Sequence, residues 1–124
     1  MRYIDSAHQE FYETETASLG NDCMLQSLLY LIGLTEITRQ NFHAFYNRDD
    51  GSIQPHILHE PWQTPTTLRL TRLALNLHSG INSELDEETG EIRNTDLYAV
   101  DAIFCCELSP YFLEAVRLRF PQYS

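Results

Sequence analysis

The sequence predicts an all-α fold, a compact single-domain bundle of five or six helices over residues 1–124. Three observations lead to this prediction. The stretch from Pro65 to Ser79 carries apolar residues at the three-and-four spacing of an amphipathic helix, and the stretch from Cys23 to Ile32 is apolar on almost every side. Alternating strand patterns and Asn-Gly hairpin signals are nearly lacking in the sequence. A chain of 124 residues can bury one core without metals or disulfides.

The first two helices are predicted from their caps and from glycines. Ser6 and Gln9 fit a capping box that opens the first helix, and Gly20 ends it. Asn21 can cap the second helix, which ends at Gly33. Because this second helix has no polar side, we expect it at the centre of the fold. The residues of the first helix expected to face inward are Ala7, Phe11 and Thr14.

A third helix is predicted to begin at Thr35. Residues 48–52 form a turn cluster, and Pro55 can begin a short helical turn that stops before Pro61. The buried face of the third helix is predicted to consist of Ile37, Phe42, Phe45 and Tyr46.

The clearest helix of the chain begins at Thr64 and Pro65. The Thr64 hydroxyl can cap the helix, and proline suits the first helical position because its missing N–H costs nothing there. Gly80 suits the left-handed residue that ends a helix. Trp62 lies where the chain turns into this helix and is expected to anchor it. The core face is predicted to comprise Leu70, Leu73, Ala74, Leu77 and Ile81.

Two further helices are predicted near the C-terminal end. Asn94 or Thr95 can cap the first of them, although a strand or irregular segment near 98–105 is an alternative. Pro110 directly after Ser109 repeats the Thr-Pro helix start described above. The inward residues are expected to be Leu97, Val100 and Phe104 in the first, and Phe112, Ala115, Val116 and Phe120 in the second.

Composition and charge exclude several classes of protein. Eighteen acidic residues against eight basic ones, all arginine, give a formal charge of -10. The arginines do not cluster in sequence, so we expect no direct nucleic-acid partner. There is neither an apolar run long enough for a membrane span nor an apolar N-terminal segment, which predicts a cytoplasmic protein without membrane contact. The three cysteines are expected to be reduced, with Cys23 and Cys105 in inert core positions.

No catalytic residue is predicted, because the sequence has no phosphate-binding loop and no nucleophile motif. His56 and His59 are one helical turn apart and could hold a metal with a third ligand, as in a metal-dependent hydrolase. The flanking prolines make this short segment a poor ligand platform. We therefore rank the metal-dependent hydrolase last among the hypotheses, and we expect neither a metal nor a cofactor.

The second functional hypothesis is that the protein binds a small anionic ligand, such as a nucleotide or signal molecule. Unpaired N–H groups at the start of a helix attract anions. The start of the helix at Thr64 is surrounded by aromatic, amide, hydroxyl and guanidinium groups. The alternative is that the indole fills the core, the amide satisfies a loop carbonyl and the arginines pair with surface acids. The candidate ligand-binding residues are Trp62, Gln63, Thr64, Arg69, Arg72 and Asn76.

The preferred hypothesis is that this protein binds a basic protein. Residues 83–91 carry five acidic residues around Gly90 and predict a solvated, mobile acidic loop. A strongly negative body can occupy a basic groove made for nucleic acid, with electrostatic steering of the encounter. The candidate partner-binding residues are Glu84, Asp86, Glu87, Glu88 and Glu91.

Five segments of the chain are distinctive together: Asn21–Cys23, Ser27–Leu34, Ile53–Thr64, Leu73–Leu77 and Tyr111–Pro121. They resemble an uncharacterised family of short proteins from Gram-positive bacteria and their phages, and the likeness covers most of the chain. The resemblance implies an accessory protein, encoded either by a mobile element or by the host, and not a metabolic enzyme. Together with the charge, it predicts a non-catalytic protein that binds and inhibits a basic host protein, such as a host-defence nuclease.

Overall fold

The computed structural model of the chain describes residues 1–123 and confirms the all-α class. Its α-helices are α1 (Ser6–Leu19), α2 (Cys23–Ile32), α3 (Glu36–Gln40), α4 (Phe42–Phe45), α5 (Pro65–Ser79), α6 (Val100–Ile103) and α7 (Ser109–Arg119). Short 3₁₀ helices span Pro55–His59, Thr95–Tyr98 and Pro121–Tyr123. Two strands, β1 (Glu84–Leu85) and β2 (Ile92–Arg93), form a small antiparallel sheet.

Helix α2 lies at the centre of the fold, as predicted. Helices α1, α5 and α7 all pack against it. Its residues from Leu28 to Ile32 have no exposed surface. The helix tolerates apolar residues on every side because each side meets another helix.

Both N-terminal helices begin at an aspartate. The Asp5 carboxylate accepts a hydrogen bond from the His8 backbone N–H at 2.8 Å, and the Asp22 carboxylate accepts one from the Leu25 N–H at 2.9 Å. These bonds satisfy N–H groups that have no partner within the helix. The predictions of Ser6 and Asn21 as caps are therefore wrong by one residue.

Helix α1 buries a different face from the one predicted. His8 and Tyr12 are its buried residues, and Phe11 is half-buried. Ala7 and Thr14, which were expected inside, are exposed. The prediction failed because a histidine ranks as polar in a periodicity argument, whereas here both ring nitrogens find partners in the core.

The predicted third helix is divided into α3 and α4. Thr35 caps α3 as predicted, its hydroxyl accepting from the Thr38 N–H at 3.1 Å. The helical path is interrupted at Asn41, where φ is -107° and ψ is 19°. Of the residues predicted to be buried, Phe42 and Phe45 are buried, and Ile37 and Tyr46 are half-buried.

Helix α5 agrees with the prediction at both ends. The Thr64 hydroxyl accepts from the Thr67 N–H at 3.1 Å, and the Thr67 hydroxyl accepts from the Thr64 N–H at 2.7 Å. Pro65 is the first helical residue, and Gly80 follows the helix with a left-handed φ of 72°. On the predicted core face, Leu70, Leu73, Ala74 and Leu77 are buried and Ile81 is half-buried.

The segment predicted as an acidic loop over 83–91 is a hairpin. Strands β1 and β2 are antiparallel, with Leu85 opposite Ile92. Between them the Gly90 N–H donates to the Asp86 carbonyl at 2.7 Å, and Gly90 takes a left-handed φ of 73°. The loop prediction is wrong at Glu84 and Leu85, which are strand residues, whereas the mobility of the segment stays a prediction. We call residues 84–93 the acidic hairpin.

The region from Thr95 to α7 departs most from the prediction. A 3₁₀ turn and the short helix α6 replace the single helix expected there, because extended backbone at Ala99 (φ -71°, ψ 155°) separates them. Val100, expected inside, is 73% exposed, and Ile103 is buried instead. Within the described chain, no strand forms over 98–105.

Three predictions around helix α7 are also wrong. Ser109 does not cap it, since Leu108 occupies the cap position and makes no side-chain cap bond. Phe120, expected inside, is exposed, although Phe112 and Ala115 are buried as predicted. Cys105, expected in the core, is exposed. Among residues 1–123, no helix combines the length and apolar character needed to cross a membrane.

Candidate functional site

The side chains around the start of α5 form a hydrogen-bonded cluster. The Gln63 amide nitrogen donates to the Ile57 carbonyl at 3.0 Å and lies 3.1 Å from the Thr71 hydroxyl. Its amide oxygen accepts from the Thr67 hydroxyl at 2.6 Å. The half-buried Trp62 packs beside Phe45, with the ring centroids 5.8 Å apart. These contacts hold the 3₁₀ turn at 55–59 against α5.

The remaining candidate ligand-binding residues lie further along α5. The Arg69 guanidinium donates to the Ala102 carbonyl at 3.2 Å, and the Asn76 amide donates to the Ile81 carbonyl at 3.2 Å. Asn76 lies twelve residues beyond Thr64, which is about 18 Å along a helix. The six predicted residues therefore do not converge on one pocket. Binding of a small anion at any of them stays a prediction.

Arg72 has a structural partner in the acidic hairpin. Its Nε lies 3.3 Å from Oε2 of Glu84, and the two side chains are only 13% and 17% exposed. The Tyr98 hydroxyl is buried beside this ion pair, with no hydrogen bond of normal geometry to the described residues. Burial, followed by the charge of Glu84, raises the pKa of Tyr98 to about 12. The phenol therefore stays neutral at physiological pH, and the ion pair joins the hairpin to α5.

The acidic hairpin divides its carboxylates between two roles. The Asp86 carboxylate accepts from the Glu88 N–H at 2.9 Å and the Thr89 N–H at 3.2 Å, and these bonds lower its pKa. Arg93 lies 3.1 Å from Asp86 and 3.2 Å from Glu91. Three carboxylates, those of Glu84, Asp86 and Glu91, thus organise the hairpin itself.

Glu87 and Glu88 are the carboxylates left available for a partner. Both are exposed, and neither side chain has a hydrogen bond or ion pair with the described residues. Next to them, the cross-strand pair of Leu85 and Ile92 is 66% and 64% exposed. Sequence reasoning missed this apolar pair. The available signal was one apolar residue on each side of the Asp86-to-Gly90 turn.

His56 and His59 lie on the exposed side of the 3₁₀ turn at 55–59. They line a groove of about 1000 Å³ whose other wall is the acidic hairpin. Among residues 1–123, no group of three or more His, Cys, Asp or Glu side chains is arranged to hold a metal ion. The two imidazoles thus lack the third protein ligand that the metal hypothesis requires.

The fold and these surfaces define the protein as a small helical single-domain protein that displays an acidic hairpin. The chain belongs to a family of unknown function, DUF6075, whose model matches residues 1–124. The predicted membership of an uncharacterised family is thereby confirmed. No curated protein and no solved structure matches the chain.

Proposed function

We propose that the protein is a small, acidic, non-catalytic interaction protein that binds and inhibits a basic host protein through its acidic hairpin. The proposal includes an origin in a phage or mobile element of Gram-positive bacteria and action in the host cytoplasm. The target class is a nucleic-acid-binding protein such as a host-defence nuclease. The net charge of -10 and the sequence resemblance described above support the proposal.

The observation that carries the proposal is an apolar pair bordered by free carboxylates. Leu85 and Ile92 form an exposed apolar centre, and Glu87 and Glu88 stand beside it on the turn. Protein interfaces have this arrangement, an apolar core within a polar rim. Because about two-thirds of each of these two side chains is exposed, covering them would contribute about 1–2 kcal/mol each.

Several contacts within the hairpin support the proposal that it is ordered before binding. The Arg72–Glu84 ion pair fixes its base, and the bonds to the Asp86 carboxylate fix its turn. A surface ordered in advance loses less conformational entropy on binding than a mobile loop does. The negative field of the whole molecule raises the association rate with a basic partner, by about 10- to 1000-fold at low salt.

Inhibition follows from the kind of surface that an acidic hairpin fits. A groove lined with arginine and lysine binds phosphates through positive charge. Carboxylates placed in such a groove meet the same cations. Occupation of the groove then excludes nucleic acid without any chemical step.

The test compares two double variants that remove the same charge. E87Q/E88Q neutralises the hairpin turn, and E10Q/D49N neutralises two exposed carboxylates elsewhere. Basic proteins retained from a Gram-positive bacterial lysate by the wild type are identified, purified and measured individually. We expect E87Q/E88Q to weaken binding about three- to tenfold at low salt, chiefly through the association rate. This difference should shrink as salt screens the charges.

The control variant E10Q/D49N is expected to bind the purified partner as the wild type does, and the wild type should block that partner's binding to nucleic acid. Equal binding by the two double variants would refute the role of the hairpin. A purified complex that forms without blocking nucleic acid would refute inhibition but leave binding intact.

A further inference from the structure

A second exposed apolar surface is formed by residues of α5, α6 and α7. Helices α5, α6 and α7 enclose a groove of about 590 Å³. Its floor includes Leu73, Leu77 and Ile103, which are buried. The lining is apolar apart from an amide, a hydroxyl and the phenol of Tyr98. We call this the α5–α7 groove.

The rim of the α5–α7 groove exposes large apolar side chains to solvent. Val100 of α6 is 73% exposed and Leu113 of α7 is 52% exposed, and Phe120 is also exposed. Single exposed apolar residues are ordinary on a protein surface, whereas several around one concave surface indicate a binding site.

The wall of the groove from 95 to 109 is purely acidic in its charged residues. This segment contains Asp96, Asp101 and Glu107 and no arginine. The three carboxylates lie outside the lining itself, each within two residues of a lining residue in sequence. All three side chains are exposed, and none forms an ion pair with the part of the chain described. These carboxylates would therefore attract a cationic occupant.

The arginines of α7 are already engaged. Arg117 is 3.3 Å from Glu114. Arg119 donates from Nε to the Leu77 carbonyl at 2.7 Å, and its guanidinium lies 4.6 Å from the centroid of the Phe120 ring. Arg119 and Arg69, whose Nε donates to the Ala102 carbonyl, have no carboxylate partner among the described residues. Three unpaired carboxylates therefore stand against two unpaired guanidinium groups, and the charge around the groove is net negative by one.

We infer that the α5–α7 groove binds one amphipathic basic helix of the partner protein. Apolar side chains at i, i+3, i+4 and i+7 of such a helix would enter between Val100 and Leu113, as in other helix-in-groove complexes. Its lysines and arginines would face the acidic wall at 95–109. The inference rests on the proposed function in one respect, that the partner is basic. It adds a second contact surface and the secondary structure of the bound element.

A second copy of this chain fits the groove less well than a basic helix. Each copy carries a formal charge of -10, so two copies repel each other over the whole surface. Four of the eight arginines of a second copy form ion pairs with its own carboxylates, so it offers the acidic wall fewer free cations than a basic helix does. Charge complementarity thus favours a basic partner over self-association.

The test uses three labelled synthetic peptides of about 14 residues, roughly four helical turns. The first contains leucine and lysine with leucine at helical spacing, the second has the same composition scrambled, and the third replaces each lysine with glutamate. Affinity is measured by fluorescence anisotropy. We expect the first peptide to bind at least about tenfold more tightly than the other two.

Four single variants locate the bound peptide. V100D and L113D change the groove rim, and L85D and I92D make the same chemical change at exposed apolar residues of the acidic hairpin. An added carboxylate attracts a basic peptide, so any loss of affinity must come from the lost apolar contact. We expect V100D and L113D to weaken binding about tenfold or more, and L85D and I92D to change it less than about twofold. Circular dichroism checks that each variant is folded.

Other outcomes overturn the inference in distinguishable ways. Loss of binding in L85D and I92D alone would place the peptide on the hairpin, refuting the groove but supporting the proposed function. Equal binding of the scrambled or glutamate peptide would refute an amphipathic basic ligand. A wild-type dimer in sedimentation equilibrium that V100D dissociates would make a second copy the occupant. If E87Q/E88Q fails to weaken the partner complex while the groove variants succeed, the hairpin proposal falls and the groove stands.

Discussion

The buried imidazole of His8 should make the stability of the protein depend on pH. His8 is fully buried, and its Nε2 donates to the Tyr30 carbonyl at 2.8 Å. Its Nδ1 accepts from the Ile4 N–H at 3.1 Å, which fixes the neutral tautomer. A proton on Nδ1 would meet that N–H and would add a buried charge. Burial therefore lowers the pKa of His8, against smaller raising effects of the Tyr30 carbonyl and Asp5.

The sign and the size of the effect follow from linkage. In the unfolded chain His8 has the ordinary histidine pKa of 6.5 and takes up a proton as the pH falls through that value. In the folded protein the pKa is lower, so His8 takes up the proton less readily and acidification favours the unfolded state. If His8 stays neutral in the fold, lowering the pH from about 7.5 to about 5.5 reduces the free energy of unfolding by about 1.4 kcal/mol. The stability is fully present above the unfolded pKa.

Urea unfolding followed by circular dichroism at these two pH values measures the effect. The variant H8Q removes the titrating group, and H43Q makes the same substitution at the exposed His43 of α4. Burial also lowers the pKa of His78, but His78 is present in all three proteins and its contribution cancels. We expect the pH-dependent loss to be smaller in H8Q by about 1 kcal/mol. H8Q should also be less stable at the higher pH by about 1–3 kcal/mol, because the Ile4 N–H loses its acceptor. Equal pH dependence in wild type and H8Q would refute the reasoning.

Three further predictions follow from local contacts. G33A should destabilise the fold by about 1–3 kcal/mol in urea unfolding, because a Cβ at Gly33 would lie 2.8 Å from Cδ2 of His8. A G33A variant as stable as the wild type would contradict this prediction, since it would mean that α1 can move away from Gly33 at no cost. D22A should cost about 1 kcal/mol and N21A only a few tenths, since Asp22 is the cap; the reverse order would restore Asn21 as the cap. In Ellman titration of the native protein the exposed Cys105 should react first, so C105S should remove the fast phase, and a fast phase that survives would contradict this assignment.

Sequence reasoning succeeded where every signal lay within one element. For α5, the cap, the first-position proline, the apolar spacing and the terminal glycine all lie between Thr64 and Gly80, and the helix has the predicted bounds. Helix α2 was placed correctly for a similar reason, since an all-apolar helix requires no knowledge of its neighbours. Consistency of local signals is what makes an element predictable.

The failures have a common cause in contacts between distant parts of the chain. His8 is buried because Tyr30, twenty-two residues away, offers a carbonyl in the last turn of α2, where helix carbonyls lack an intrahelical donor. The acidic segment is paired because Ile92 and Arg93 fold back onto β1. Neither of these long-range contacts produces a periodic pattern in the sequence.

The candidate sites show that the type of a residue does not reveal whether its polar group binds a ligand or stabilises the fold. Gln63, Arg69 and Asn76 have the chemistry of a ligand site, but each donates to a backbone carbonyl of its own chain. Sequence cannot distinguish a polar group that completes the fold from one that awaits a ligand, because the distinction depends on the position of the carbonyl. Groups that the fold leaves unused are a better guide to a partner. Here they are carboxylates such as Glu87, close to the exposed Leu85 in the acidic hairpin, and exposed apolar side chains such as Val100 at the α5–α7 groove. This combination is the reason that we propose a basic amphipathic partner rather than a small anion.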